Sequence, residues 1–332
     1  MLIDIGAGSV AGACARFFDG KPPQLLYSQR VPIESRDAEP HENAMFRALN
    51  TLCEALVHEG SGELMRAVGS GGVDAILVSV DAPWQQTTLR TDRLEQKTPF
   101  VFTKRLVTEA LKKTEASSPG KLLVDESVIG TILNGYETRS PYGKKVQRAV
   151  IVVLSSLIDE SVARGIVKEL RSHYHTRRVL PIAGSSLRYQ AMRLAFPHER
   201  DALIVDATGP EVAIALVRKR LLVAVSETQD GAAGSPAWVK EVTEKLADLS
   251  KRYPLPRTIF LIARESEMKT LTETLTSANL GSLWLSENPP QIVPVLASHL
   301  VGLVRLAANT SPDTILQLMA LYWQHHNPAD EG

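Results

Sequence analysis

The apolar positions of this chain fall into short runs with two distinct periods. Runs at 2–5, 10–18 and 25–33 predict three successive strands, separated by the turn residues Gly6-Ala7-Gly8 and Asp19-Gly20-Lys21-Pro22-Pro23. From 41 to 68 the period changes: Met45, Leu49, Leu52 and Leu56 share one helix face. Gly69-Ser70-Gly71-Gly72 stops that helix, and 73–80 reads as a buried strand. The four-residue glycine stretch lacks the lysine and the preceding strand of a phosphate-binding P-loop.

A new unit begins near Trp84. It runs as a polar strand, a helix at 103–113, a strand at 124–133, a stretch punctuated by Asn134, Gly135 and Pro141, a β run at 146–154 and a helix at 159–172. Strand, turn and strand return over 203–225, followed by a helix at 238–251 and a strand at 258–262. The tail predicts helices at 268–278, 292–308 and 312–324, the last opened by Ser311-Pro312. No low-complexity linker divides these elements, so the domains are expected to interleave.

Charge and composition narrow the function. The chain has 332 residues with 37 basic and 37 acidic side chains, and this neutrality argues against nucleic acid as a partner. Two cysteines, Cys14 and Cys53, are too few for a disulfide scaffold or a cysteine-rich zinc module. The chain opens on a strand rather than a signal sequence, and no apolar run reaches the roughly 18 residues of a membrane span. A soluble cytoplasmic protein with two domains is expected.

One internal echo stands out. The segment from Asp4 to Arg16 and the segment from Asp206 to Arg218 agree in Asp, Val, Ala, Ala and Arg at an offset of 202 (206 − 4). Each is an apolar strand, a glycine-containing turn and a return strand. Such a hairpin can point backbone N–H groups at a phosphate, while an aspartate at the strand end holds hydrated Mg²⁺. Two unrelated hairpins with chance agreement would look the same, because hairpin turns favour these residues.

The pair resembles the two phosphate hairpins of the actin-like ATPase superfamily, which includes actin, Hsp70 and sugar kinases. Between them, Leu133-Asn134-Gly135-Tyr136-Glu137-Thr138-Arg139-Ser140-Pro141-Tyr142-Gly143-Lys144-Lys145 is similar to a glycine- and proline-containing segment of FtsA and PilM. In those proteins it lies in an inserted strand–helix–strand–strand subdomain, 1C or SHS2. The resemblance implies an α/β actin-like (ribonuclease H-like) fold of duplicated domains. Subdomain 1A would comprise 1–84 and 176–200, the inserted 1C would be 85–175, and 201–332 would be 2A with a minimal 2B and C-terminal helices.

It also implies a site. Asp4, Gly6, Gly8, Ser9, Asp206, Thr208 and Gly209 would contact ATP, with Asp4 and Asp206 holding Mg²⁺ through water. The departures weigh against turnover. Where the family has Asp-x-Gly-Gly-Gly-Thr-Thr-Asp, this chain has Asp206-Ala207-Thr208-Gly209-Pro210-Glu211-Val212-Ala213. Pro210 has no N–H to offer a phosphate, and Glu211 sets a carboxylate beside one. The Gly-Gly expected after the strand at 258–262 is Ala263-Arg264-Glu265-Ser266, with Arg264 expected on the solvated surface. Ala183-Gly184-Ser185 offers nothing to orient a nucleophilic water.

A degenerate ATPase is therefore expected: a scaffold or adaptor that docks the cytoplasmic segment of an inner-membrane protein in type IV pilus, secretion or division machinery, with self-association. The alternative is an active actin-fold ATPase or small-molecule kinase. Two smaller signals complete the reading. His173 and His175 are expected at a solvated helix end rather than on a metal. The apolar helix near Ile315 to Trp323 is expected to pack on 2A or a partner, since no Lys or Arg follows Arg305 to favour a membrane surface.

Overall fold

The computed structural model describes residues 1–113, 119–138, 140–209, 212–228, 233–278, 280–284, 290–308 and 310–326. Its first strands are β1 (Leu2–Ile5), β2 (Ser9–Phe18) and β3 (Lys21–Pro32). The helix expected at 41–68 is continuous but not uniform. α1 (His41–Ala55) passes through a π-helical turn, Leu56–Gly60, into α2 (Ser61–Val68), which ends on Gly69 at φ 74°. Gly60 sits in the π turn because a Cβ there would meet Cys14 Sγ at 2.6 Å and Tyr27 Cδ1 at 3.3 Å. β4 (Ile76–Val80) follows, buried along its whole length.

Next comes a long strand β5 (Gln85–Val101), α3 (Lys104–Lys113), β6 (Lys121–Leu133), the short β7 (Tyr136–Glu137) and β8 (Lys145–Asp159). These strands make a separate four-stranded sheet ordered β5-β8-β6-β7. Phe100, Phe102, Val107, Ala110, Ile151 and Val153 give it a core of its own. α4 (Glu160–His173) leaves this sheet and turns Val162, Ile166 and Leu170 into the core that holds Met45 and Leu49 of α1. Of the two histidines expected at a solvated helix end, His173 closes α4 half-buried, its ring nitrogen 3.0 Å from Asn50 Oδ1 of α1, and His175 just beyond it is exposed.

β9 (Val179–Ala183) and α5 (Gly184–Ala195) have no counterpart in the hydrophobic pattern. β9 carries Pro181 and lies at the sheet edge, where a missing N–H is tolerated. α5 begins Gly-Ser-Ser, a weak helix start, yet it buries Leu187, Arg188, Tyr189 and Met192.

The second half repeats the first: β10 (Ala202–Asp206), β11 (Ala213–Arg218), β12 (Leu221–Glu227), α6 (Pro236–Ser250), β13 (Thr258–Ile262), α7 (Glu265–Ser277) and β14 (Gln291–Pro294). The helix expected at 292–308 does not form. β-branched Ile292 and Val293 pair in parallel with β13, a 3₁₀ turn follows at Ala297–Leu300, and β15 (Arg305–Leu306) joins β3. α8 (Thr314–His326) ends the described chain. It starts on Asp313, whose Oδ1 accepts from Ile315 N and Leu316 N, rather than on Ser311-Pro312.

The two large sheets are ordered β15-β3-β2-β1-β4-β9 and β12-β11-β10-β13-β14. The sequence echo is a matching register: Asp4 pairs with Ala11 as Asp206 pairs with Ala213, and each aspartate also neighbours a parallel strand, at Ser79 and Ile262. One hydrophobic core joins both halves through α5 and α8, with Leu25, Leu187, Ile204, Phe260, Leu316 and Met319 in it. α8 thus lies on the first sheet and α5, within the core that also takes Ile204 and Phe260 of the second half.

Candidate site at the facing hairpins

Asp4 and Asp206 close the inner ends of β1 and β10, and both are buried, at 3% and 6% exposure. The end of β4 contributes Asp81, whose amide donates to Ile5 O at 2.9 Å. A single side chain sits among the three carboxylates. Arg188 of α5, 4% exposed, donates from Nε to Asp206 Oδ2 and from Nη2 to Asp81 Oδ1 at 2.5 Å, with Nη1 4.0 Å from Asp4 Oδ1. The other oxygen of Asp4 lies 3.4 Å from Arg30 of β3, which also donates to Asp313 Oδ2 at 2.9 Å and to Ser9 Oγ at 2.8 Å.

The electrostatics follow from this crowding. Burial pushes Asp4 up, against the pull of Arg30 and Arg188. Burial likewise pushes Asp81 up to about 7; Arg188 opposes the rise, and Asp4 and Asp206 add to it. Burial works against the charge on Arg188, but Asp206, Asp81 and Asp4 together hold its pKa above the ordinary value. Four carboxylates, Asp313 included, share two guanidiniums, which is why at least one of them gains by keeping a proton.

The residues expected to contact phosphate are in place in the chain but otherwise engaged. Gly6 N donates to Ser9 O at 3.0 Å and closes the first turn. A Cβ on Gly8 would collide with the guanidinium of Arg264, so that arginine covers the turn instead of standing on the solvated surface as expected. Ser9 Oγ is taken by Arg30. Asp206 Oδ1 accepts from Thr208 N at 3.2 Å and from Thr208 Oγ1 at 2.8 Å, a local turn that aims the hydroxyl back at the carboxylate. Gly209 lines a cavity of about 30 Å³ with Asp81, Ser185, Arg188 and Asp206, room for a water or two. Pro210 and Glu211 lie outside the described residues.

A hydrated magnesium ion does not fit between Asp4 and Asp206 as they stand. The space it would take is filled by Arg188, and no group of three potential ligands is gathered for a metal among the described residues. The larger cavity, about 600 Å³, lies to one side, lined by Tyr27, Arg30, Thr208, Arg264, Ser266 and Asp313. Ser185 and Ser186 point the other way, to Thr87 Oγ1 at 3.1 Å and Asp125 Oδ2 at 2.6 Å of the four-stranded sheet.

Sequence reasoning missed Arg188, Arg30, Asp81 and Asp313. Two signals were available. Asp81 follows directly on the buried run that ends at Val80, and Arg188 lies one helical turn after Gly184 in a stretch otherwise dominated by small and apolar residues.

No family model matches the chain, and no curated protein does. Among solved structures it is similar to the PilM-PilN type IV pilus biogenesis complex, with TM-score 0.62 at 14% identity over 97% of this chain and 96% of that one. The chain has an actin-like fold. Two looser matches are a Bacteroides thetaiotaomicron protein with an actin-like ATPase fold, and the cytoplasmic domain of EpsL, an inner-membrane component of the Vibrio cholerae type II secretion system. The first has TM-score 0.47 at 9% identity over 96% of this chain and 94% of that one; the second has 0.42 at 10% over 98% and 94%. No helix among the described residues is long and apolar enough to cross a membrane.

Proposed function

We propose that this chain is an actin-fold scaffold of the PilM kind rather than a turnover enzyme. It would dock a cytoplasmic segment of an inner-membrane protein for type IV pilus or related secretion-machine assembly, or division, at the cytoplasmic face, with self-association and with ATP hydrolysis weak or absent. The observation that carries this is Arg188: hydrolysis by this fold needs a metal and a positioned water between the hairpins, and that volume holds a guanidinium. The likeness in fold to a chain of the PilM-PilN complex supports the adaptor role.

The subdomain division, 1–84 with 176–200, 85–175 and 201–332, belongs to the same proposal. The separate core of the four-stranded sheet supports an inserted 1C, and the packing of α4 on α1 draws its last helix towards the first half. The reading is tested by assaying Mg²⁺-dependent ATP turnover beside capture of synthetic cytoplasmic peptides from inner-membrane partners. Peptide capture without turnover supports it. Turnover that Asp4→Asn abolishes overturns it in favour of an ATPase or kinase.

A further inference from the structure

We propose that Arg188 is a built-in cation: its guanidinium stands where a bound metal would have to stand and ties the end of β4 to the end of β10, so the two halves are held closed with no ligand present. The tie spans the molecule. Asp81 belongs to the first large sheet, Asp206 to the second, and Arg188 reaches both from the helix that follows β9.

Three further observations show that the cluster is built around this side chain. Gly184, one turn before Arg188, leaves its face bare: a Cβ there would strike the Asp81 carboxylate and come within 2.8 Å of Ser79 Oγ and 2.9 Å of Arg188 Nη1. α5 is fixed at its start by Ser185 and Ser186 on the four-stranded sheet and along its length by α8, so the guanidinium is presented from a rigid support. The space left beside it is about 30 Å³, too little for a metal with its water shell. A buried arginine with three carboxylates is stable only as a set, because removing one partner strands the others in a dry site.

The consequence is a closed state that does not depend on divalent cations. This inference rests on the same cluster as the scaffold reading, but its test uses metal alone, so the peptide experiment can fail without touching it. Thermal unfolding of the full chain, without nucleotide, is compared in chelator and in millimolar magnesium chloride. The wild type is expected to unfold at the same temperature in both. Arg188→Ala is expected to unfold about 5–10 °C lower in chelator, and millimolar magnesium or guanidinium is expected to restore part of the loss. Magnesium that stabilises the wild type by several degrees would overturn the proposal, as would an Arg188→Ala chain that loses nothing and ignores both cations. If Arg188→Ala does not fold, Arg188→Lys keeps the charge but cannot span two carboxylates. Faster amide exchange at the ends of both β4 and β10 in that variant supports the tie; unchanged exchange at both ends overturns it.

Discussion

The guanidinium of Arg264, at the start of α7, lies against the bare backbone of Gly8 in the first hairpin turn, so a side chain of one half caps the other where that turn has no side chain of its own. This contact and the one at Gly184 are alike in kind, since each glycine leaves room for an arginine guanidinium. They differ in what would have to move.

At position 8 the obstacle is the far end of a half-exposed arginine, which can swing aside. Gly8→Ala is expected to cost under about 1 kcal/mol. At position 184 the obstacle is the locked cluster of Asp81, Ser79 and Arg188. Gly184→Ala is expected to cost about 3 kcal/mol or more. Urea unfolding of the two variants checks the contrast, and equal losses would refute it.

Asp313 caps α8 through two backbone amides and pairs with Arg30. Asp313→Ala is expected to lose about 1–2 kcal/mol, and Asp313→Ser to recover most of it, because the cap is worth more than a partly exposed ion pair. Denaturant midpoints at low and high salt separate the two contributions.

Stability should depend on pH through Asp81. Its pKa, pushed by burial up to about 7, lies above the unfolded value near 3.8, so the folded state holds the extra proton between those limits. Stability from this group is complete below the unfolded value and declines as pH rises through about 7. Asp4 shifts in the same direction. Wild-type unfolding free energy is expected to fall from about pH 5 to about pH 8, and Asp81→Asn, which cannot ionise, to flatten that slope. An identical slope in the variant would assign the effect elsewhere.

The π turn gives a packing prediction. Gly60→Ala places a methyl group 2.6 Å from Cys14 Sγ in a filled core and is expected to cost about 1–3 kcal/mol, whereas Gly62→Ala, which meets nothing, should be neutral or better. Thermal midpoints of the pair check it.

Much of this architecture was legible in the residues. The strand–turn–strand echo at Asp4 and Asp206 is a true duplication of register, and the change of hydrophobic period at His41 marked the first helix. What the pattern hid has physical reasons. β9 contains a proline tolerated only at an edge. α5 starts on residues that disfavour helix and is held by tertiary contacts. The run at 292–308 has helical apolar spacing, yet its β-branched residues find a parallel partner in β13. The site was half legible. The two hairpin aspartates could be named from strand ends, but no local rule announces that an arginine from a third element will take the space between them.

The docking of α8 and β15 on the first sheet has a consequence for how the molecule is made. Thr310 bonds to Leu25 O across 285 residues, and Leu316, Met319 and Trp323 complete the core that Leu2, Ala11 and Ala13 begin. A ribosome adding about 5–20 residues per second therefore needs roughly fifteen to sixty seconds between exposing that apolar face and supplying its cover. Through that interval the nascent chain carries an open sheet edge along β3. That edge is a template for wrong pairing until β15 arrives to cover it.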